Sequence, residues 1–146
     1  MDISGHKKVT APREKLYQAL LDPEVLKNSI PGCETIESID TSTLKLIMTT
    51  AVPGFRGPYT VFIKTAEVLP PSHMVLIAEP TMDFGTMKVV CSVDLVEDGQ
   101  ATYLSYQIHV EATGKIASVP EILIKSTIKG ALGKLFNGLQ KELSAQ

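Results

Sequence analysis

The sequence predicts an α+β fold in which a seven-stranded antiparallel sheet packs against one long C-terminal helix. Three observations support this prediction. Apolar and polar residues alternate in seven segments, the period expected of strands. Two short helical segments, each with a proline near its start, follow the first of these strands. From Lys115 to Leu143, apolar residues recur every three or four positions, as they do along one face of a helix.

The N-terminal part is predicted to form a strand at residues 3–10 followed by the two short helices. Pro12 suits the first turn of the first helix, where its missing N–H costs no hydrogen bond. Asp22 is a good N-cap for the second helix, which starts at Pro23 and ends at Pro31-Gly32. The helices therefore lie between the first and second strands.

Six further strands are predicted after that point. Short turns separate most of them, and Asp98-Gly99 and Pro70-Pro71 are examples of the residues found there. Consecutive strands joined by short turns pair antiparallel, so a meander is expected. The predicted strands span residues 35–39, 43–50, 59–68, 73–79, 86–97 and 102–112.

Length and composition favour one domain spanning residues 1–146, because a chain of 146 residues can bury one core. A net charge of −2 excludes the basic surface that nucleic acid requires. No apolar run reaches the roughly 18 residues of a membrane span, and the N-terminus lacks the apolar core of a secretion signal. Cys33 and Cys91 lie far apart without a Cys-x-x-Cys pair, so we expect reduced thiols in a cytoplasmic protein.

Alternation also predicts which side chains point toward the long helix. They are apolar with a few hydroxyls, a composition that suits either a small-molecule cavity or a closed core. Met82 and Phe84 are also expected to line the cavity, with Met82 in a methionine-rich lid. Phe55 and Arg56 are expected at its rim, where Arg56 could hold an anionic head group. The predicted lining comprises Tyr59, Val61, Ile63, Met74, Leu76, Val89, Cys91, Leu104, Tyr106 and Ile108 from the strands, and Ile116, Val119, Leu123 and Thr127 from the helix.

No constellation of catalytic or metal-binding residues is visible. His6, His73 and His109 stand at none of the spacings used for metal ligands, so no metal or other cofactor is expected. Nucleophile-elbow and phosphate-loop motifs are also absent from the sequence. We therefore predict no catalytic residues.

One stretch and several shorter pieces together resemble a known family. The stretch is Asp22-Pro23-Glu24-Val25-Leu26-Lys27-Asn28-Ser29-Ile30-Pro31-Gly32-Cys33-Glu34, and the pieces are Phe55-Arg56-Gly57, Pro70-Pro71 and Gly114-Lys115-Ile116-Ala117. In this order they are similar to the carbon monoxide dehydrogenase G-subunit proteins of the START-like, polyketide-cyclase-like SRPBCC superfamily. The resemblance implies a helix-grip fold, in which a curved sheet wraps around the C-terminal helix and encloses an apolar cavity.

The resemblance also implies a function. It indicates a non-enzymatic protein that binds a hydrophobic small molecule, a lipid or a quinone-like compound. Such a protein would serve a molybdenum hydroxylase of the carbon monoxide dehydrogenase type in maturation or membrane recruitment, as a monomer or homodimer. Lys125, Lys129 and Lys141 would allow peripheral membrane contact, although a solvated helix face is the better explanation for them. A cyclase- or hydrolase-type enzyme and a closed protein–protein adaptor are the alternatives.

Overall fold

The computed structural model describes residues 1–49, 58–82 and 85–144. Within them, seven strands form one antiparallel sheet in the order β1-β7-β6-β5-β4-β3-β2, so the predicted fold class is confirmed. Two short helices follow the first strand and a long helix ends the chain, as expected. The elements are β1 Asp2–Val9, α1 Arg13–Leu21, α2 Pro23–Ser29, β2 Cys33–Asp40, β3 Thr43–Met48, β4 Tyr59–Leu69, β5 His73–Met82, β6 Gly85–Asp98, β7 Ala101–Ala112, a 3₁₀-helix Gly114–Ser118, and α3 Glu121–Ser144.

The long helix begins later than the apolar repeat predicts. Residues 114–118 form the 3₁₀-helix, and α3 starts only after Pro120, whose ring and missing N–H suit a helix start better than an interior. The predicted inward face was wrong in its first turn, where Leu123 is 44% exposed and Ile124 is buried. Residues 122–124 are all aliphatic, so periodicity alone could not choose between them.

The core lies on the concave face of the sheet and is not evenly distributed. Helix α1 packs on β6 and β7, and α3 contacts β1 and α1. The main cluster joins the ends of α1 and α3 to the middle of the sheet, and its most buried members include Leu16, Met74, Leu95, Leu104 and Leu139. The half of the concave face formed by β3 and β4 is therefore less completely covered by helix.

Two long-range hydrogen bonds tie α1 and the segment before it to the sheet. The hydroxyl of Thr102, on β7, is fully buried and donates to the carbonyl oxygen of Ala11 at 2.8 Å. The Tyr17 hydroxyl donates to the carbonyl oxygen of His73 at 3.1 Å. Because buried polar groups are costly when unpaired, these bonds favour one position of α1 over others.

Helices α2 and α3 approach closely at Ser29 and Gly138. A Cβ atom added to Gly138 would lie 2.9 Å from the Ser29 Cα atom and 3.0 Å from its Cβ atom. Neither of these Ser29 atoms can be moved away by a change of side-chain rotamer. Glycine at this position therefore allows a spacing between α2 and α3 that a larger residue would increase.

The imidazole of His73 links three adjacent strands on the convex face. Its Nδ1 atom lies 2.8 Å from Asp94 Oδ1 on β6, and its Nε2 atom lies 3.0 Å from Glu67 Oε2 on β4. Only the imidazolium form can donate from both nitrogens. The hydrogen bonds that His73 donates to Asp94 and Glu67 accordingly raise the pKa of His73 above its usual 6.5.

We expect replacement of His73 by glutamine to destabilise the fold more at about pH 5.5 than at about pH 9. A histidine pKa raised on folding contributes stability in full below the unfolded value of 6.5, and this contribution is lost as pH rises through the folded value. Urea midpoints of wild type and His73→Gln at both pH values measure the difference. His109, which contacts Asp2 and Glu111, responds to pH in a similar way in both proteins. Subtracting the midpoint of the variant from that of wild type at each pH removes its contribution. An equal loss at both pH values would contradict the imidazolium bridge.

Candidate functional site

A cavity of about 690 Å³ opens on the less covered half of the concave face. Its volume lies within the range of small-molecule sites, about 300–1,000 Å³. We call it the hairpin cavity because the β2–β3 hairpin forms one side of its mouth. It is lined by Leu20, Leu21, Pro23, Leu26, Ile30, Ser38, Asp40, Thr41, Ser42, Thr43, Leu44, Ile63, Thr65, Val68, Leu76 and Leu135.

The walls of the hairpin cavity are aliphatic. One wall is formed by the end of α1 and by α2 with its C-cap residue, Ile30. Leu26 and Ile30 are four residues apart and therefore lie on the same side of the helix. The sheet contributes Leu44, Ile63 and Leu76 from three neighbouring strands, where alternation turns them inward. An apolar ligand that packs against these walls would displace water from them.

The mouth is polar on the side of the hairpin turn. Asp40 Oδ1 accepts hydrogen bonds from the Ser42 backbone N–H at 2.8 Å and from the Ser42 hydroxyl at 3.1 Å. The Ser42 carbonyl oxygen in turn accepts from the backbone N–H of Thr65 at 2.9 Å, which attaches the turn to β4. Short polar side chains thus line one side of the mouth of an apolar interior, an arrangement suited to a ligand with a polar head.

The electrostatics of the hairpin cavity offer little for acid–base catalysis. Among the described lining residues, Asp40 is the only side chain that ionises near neutral pH. The hydrogen bond from the Ser42 N–H, with smaller contributions from the Ser42 and Thr43 side chains, lowers the pKa of this carboxyl. Asp40 is consequently a stable carboxylate near neutral pH and a poor proton donor, and no second titratable lining group is paired with it.

Of the predicted lining residues whose side chains the structure describes, two lie in the hairpin cavity, Ile63 and Leu76. Three others belong to neighbouring parts of the concave core. Val61 and Tyr59 pack around Leu46 and Met48, and Met74 lies in the main cluster. These side chains point to the predicted face but contribute to packing at their own positions.

The predicted lining residues of β6 and β7 lie farther from the hairpin cavity. Leu104 is in the main cluster, with Cys91 and Tyr106 packed against it, while Ile108 and Val89 belong to a separate cluster near Ile3. The Tyr106 ring contacts the Phe136 ring of α3, with centroids 5.7 Å apart. Burial raises the pKa of the Cys91 thiol to about 11, so it remains protonated and unreactive near neutral pH.

The predicted helical contributors are divided between core and surface. Ile116 is fully buried in the 3₁₀-helix beside β6, whereas Val119 is half-buried. Leu123 is exposed, and the half-buried Thr127 donates its hydroxyl hydrogen to the Leu123 carbonyl oxygen at 2.8 Å. None of the four lines the hairpin cavity as described.

Four predicted positions lie outside the part of the chain that the structure describes. They are Phe55, Arg56, Phe84 and the side chain of Met82. Met48 and Tyr59 pair at the end of the sheet opposite the cavity mouth. The mouth lies at the end where Thr43 pairs with Lys64.

Sequence reasoning missed the helical wall and the hairpin side of the site. Leu20, Leu26 and Ile30 belong to the apolar stripes of the two short helical segments, but helix periodicity does not distinguish a residue that fills the core from one that lines a space. The residues Asp40-Thr41-Ser42 are typical of a chain reversal, and that pattern predicts a turn and not a binding site. Its run of short polar residues beside an alternating strand was the one signal that could have indicated a polar mouth.

Comparison with known proteins identifies relatives of the whole chain. The family model of the carbon monoxide dehydrogenase G subunit (CoxG) matches residues 5–144. No curated protein matches the sequence. Among the described residues, no helix is both long and apolar enough to cross a membrane.

Solved structures show the same fold. A conserved protein from Geobacillus kaustophilus superposes with a TM-score of 0.92 at 23% identity, covering 99% of this chain and 96% of that one. A START superfamily protein from Mycobacterium smegmatis gives 0.76 at 17% identity, with 99% and 97% covered. Protein CV1439 from Chromobacterium violaceum gives 0.71 at 16% identity, with 97% and 96% covered. The START-like fold predicted from sequence is thus confirmed.

Proposed function

The chain belongs to the carbon monoxide dehydrogenase G-subunit (CoxG) family, and from this premise we propose that it binds a hydrophobic small molecule in the hairpin cavity without transforming it chemically. The observation that carries the proposal is an aliphatic space of about 690 Å³ with a polar mouth and a single, stably ionised carboxylate. An apolar ligand gains about 25 cal/mol for each Å² it removes from water, so aliphatic walls suffice to hold it.

The apolar walls and the polar mouth of the hairpin cavity indicate the kind of ligand. A molecule with a hydrocarbon part would place it against Leu26, Ile63 and Leu76, and its polar end would meet the hairpin turn. A lipid or a quinone-like compound has this form. Of the side chains adjoining the mouth in sequence, Ile39 is 50% exposed and Leu69 is 60% exposed, and both would suit loading from a lipid surface.

We further propose that the bound molecule serves a molybdenum hydroxylase of the carbon monoxide dehydrogenase type, in its maturation or membrane recruitment. The family description supports this partner. Cys33 and Cys91 are both free thiols, which is consistent with a reducing, cytoplasmic location. A single domain spanning residues 1–146 is consistent with a family match that covers nearly the whole chain.

Native mass spectrometry of the purified protein, followed by organic extraction, tests the proposal. We expect a co-purifying amphiphile at about one molecule per chain, whose extracted mass gives its class. A protein that carries nothing and does not change mass with lipid and quinone mixtures would contradict the binding function. The closed adaptor would then be the better hypothesis, and affinity capture of a hydroxylase would be its test.

The location of the site can be tested separately with a tryptophan placed at its mouth. The chain contains no tryptophan, so Val68→Trp and Val96→Trp each introduce a single fluorophore. Both valines are on strands and similarly exposed, at 46% and 57%, but Val68 lines the hairpin cavity and Val96 lies on the convex face. We expect 1-dodecanol to shift the emission of Val68→Trp to shorter wavelength, because it replaces water around the indole.

Val96→Trp is the matched control, and its emission should not change. Equal shifts in both variants would indicate nonspecific adsorption of the alcohol. A shift in neither variant, in a protein that mass spectrometry shows to bind dodecanol, would place the site elsewhere in the molecule.

A further inference from the structure

We infer, resting on the proposed function, that the hairpin cavity selects amphiphiles with an uncharged, hydrogen-bonding head group and discriminates against carboxylates such as fatty acids. The inference comes from the charges and hydroxyl groups at the mouth. It concerns which class of amphiphile binds, a property that the aliphatic walls do not determine.

The first observation is the absence of a cation where an anionic head would lie. No lysine, arginine or histidine is among the described residues that line the hairpin cavity. Asp40 is there instead, held as a carboxylate by the hydrogen bonds from Ser42. An anionic head would therefore meet a like charge and lose part of its hydration without gaining a partner.

Charges next to the lining do not reverse this balance. Asp22 and Glu24 flank Pro23 at the start of α2 and add negative charge on the helical side of the mouth. Lys45 and Lys64 are neighbours of lining residues on β3 and β4, but neither lines the hairpin cavity. Lys64 shares a second groove with Asp40, and its ammonium group lies 3.8 Å from the Glu79 carboxylate, which offsets its charge.

Two lysines on the helices are also near the lining in sequence. Lys27 and Lys134 follow and precede the lining residues Leu26 and Leu135. Both are exposed and neither lines the cavity. As solvated ammonium groups beside the site, they would attract an anion only weakly at physiological ionic strength.

The second observation is the supply of hydroxyl groups. Within the described part of the chain, the Ser42 and Thr65 hydroxyls already donate to Asp40 and to the Ser42 carbonyl oxygen, whereas Ser38 and Thr41 make no side-chain hydrogen bond. These two hydroxyls can donate to or accept from a head group, and Asp40 can accept from one. An alcohol or a similar neutral head can use all three.

A matched pair of ligands tests the selectivity. 1-Dodecanol and dodecanoate share one hydrocarbon chain and differ in head-group charge at about pH 7.5. Each is titrated against Nile red bound to the full chain in low-salt buffer. We expect dodecanol to bind about fivefold to tenfold more tightly, the size of a like-charge contact at a solvated mouth.

Two variants assign the effect to Asp40. Asp40→Asn keeps an oxygen that can accept from the Ser42 N–H but removes the charge, so the preference for dodecanol should fall by at least about threefold. Asp98→Asn removes an equal charge from the β6–β7 turn at the same end of the sheet, outside the hairpin cavity, and should leave the preference unchanged.

The outcomes separate the selectivity from the binding function. Equal affinities, or tighter binding of dodecanoate, overturn the selectivity while leaving the proposed function in place. An unchanged preference in Asp40→Asn, or an equal change in Asp98→Asn, overturns the role of Asp40. Failure of both ligands to displace Nile red, together with a ligand-free mass spectrum, overturns the binding function and the selectivity that rests on it.

Discussion

Replacing Gly138 with alanine is expected to lower the free energy of unfolding by about 1–3 kcal/mol, although alanine is the better helix former. The intrinsic gain of alanine over glycine in α3 is about 1 kcal/mol. It is outweighed because the new Cβ atom would lie 2.9 Å from the Ser29 Cα atom and 3.1 Å from its Oγ atom. Helix α2 must then move away from α3. Urea unfolding monitored by circular dichroism measures the change.

Gly133 supplies a control on the same helix. A Cβ atom there would meet nothing within 4 Å, so Gly133→Ala should raise the free energy of unfolding by about 1 kcal/mol. The two identical substitutions thus have opposite expected signs. If Gly138→Ala also stabilised the protein, the close approach of α2 and α3 would not exist in solution. The spacing matters for function too, because Pro23, Leu26 and Leu135 line the hairpin cavity from these two helices.

The second large effect is expected from filling the hairpin cavity. Leu76 is half-buried, lies on β5 and lines the cavity, so the larger indole of Leu76→Trp should occupy space that a ligand would use. If the ligand loses about 100 Å² of apolar contact, it loses about 2.5 kcal/mol of binding free energy, or roughly seventyfold in affinity. Titration with Nile red measures this loss directly.

The neighbouring residue gives the control for that variant. Ile77 is also half-buried on β5, but it pairs with Lys64 on one side and Val90 on the other and belongs to the convex face. Ile77→Trp should therefore bind Nile red as wild type does. Urea midpoints for both variants establish that each is folded. Unchanged affinity in a folded Leu76→Trp variant would show that the ligand does not use the hairpin cavity.

The elements of the fold could be predicted from local patterns because each pattern reports one local preference. Strand alternation identified the seven strands, and the proline and aspartate around residue 22 identified the start of α2, where the Glu24 N–H donates to Asp22 Oδ1 at 2.9 Å. The first turn of α3 was predicted wrongly at Leu123 because three consecutive aliphatic residues satisfy either helix face. Only the tertiary structure determined that Ile124 is the buried one.

The candidate site was less predictable, since alternation tells which way a side chain points and not what stands opposite it. Ile63 and Leu104 point to the same concave face, yet one lines the hairpin cavity and the other is 1% exposed in the main core. The difference arises from the placement of the helices: α1 packs over β6 and β7 and leaves β3 and β4 less covered.

The sequence by itself determined the order of helices and strands, the apolar face of the sheet and the family resemblance, because each depends on neighbouring residues and on backbone propensity. Only the tertiary structure determined where the hairpin cavity lies and which polar groups line its mouth. The reason is that a cavity is formed by the distance between elements far apart in the chain. Here the Gly138–Ser29 contact and the attachment of the Asp40 turn to Thr65 hold those elements in position, and neither appears in a local pattern.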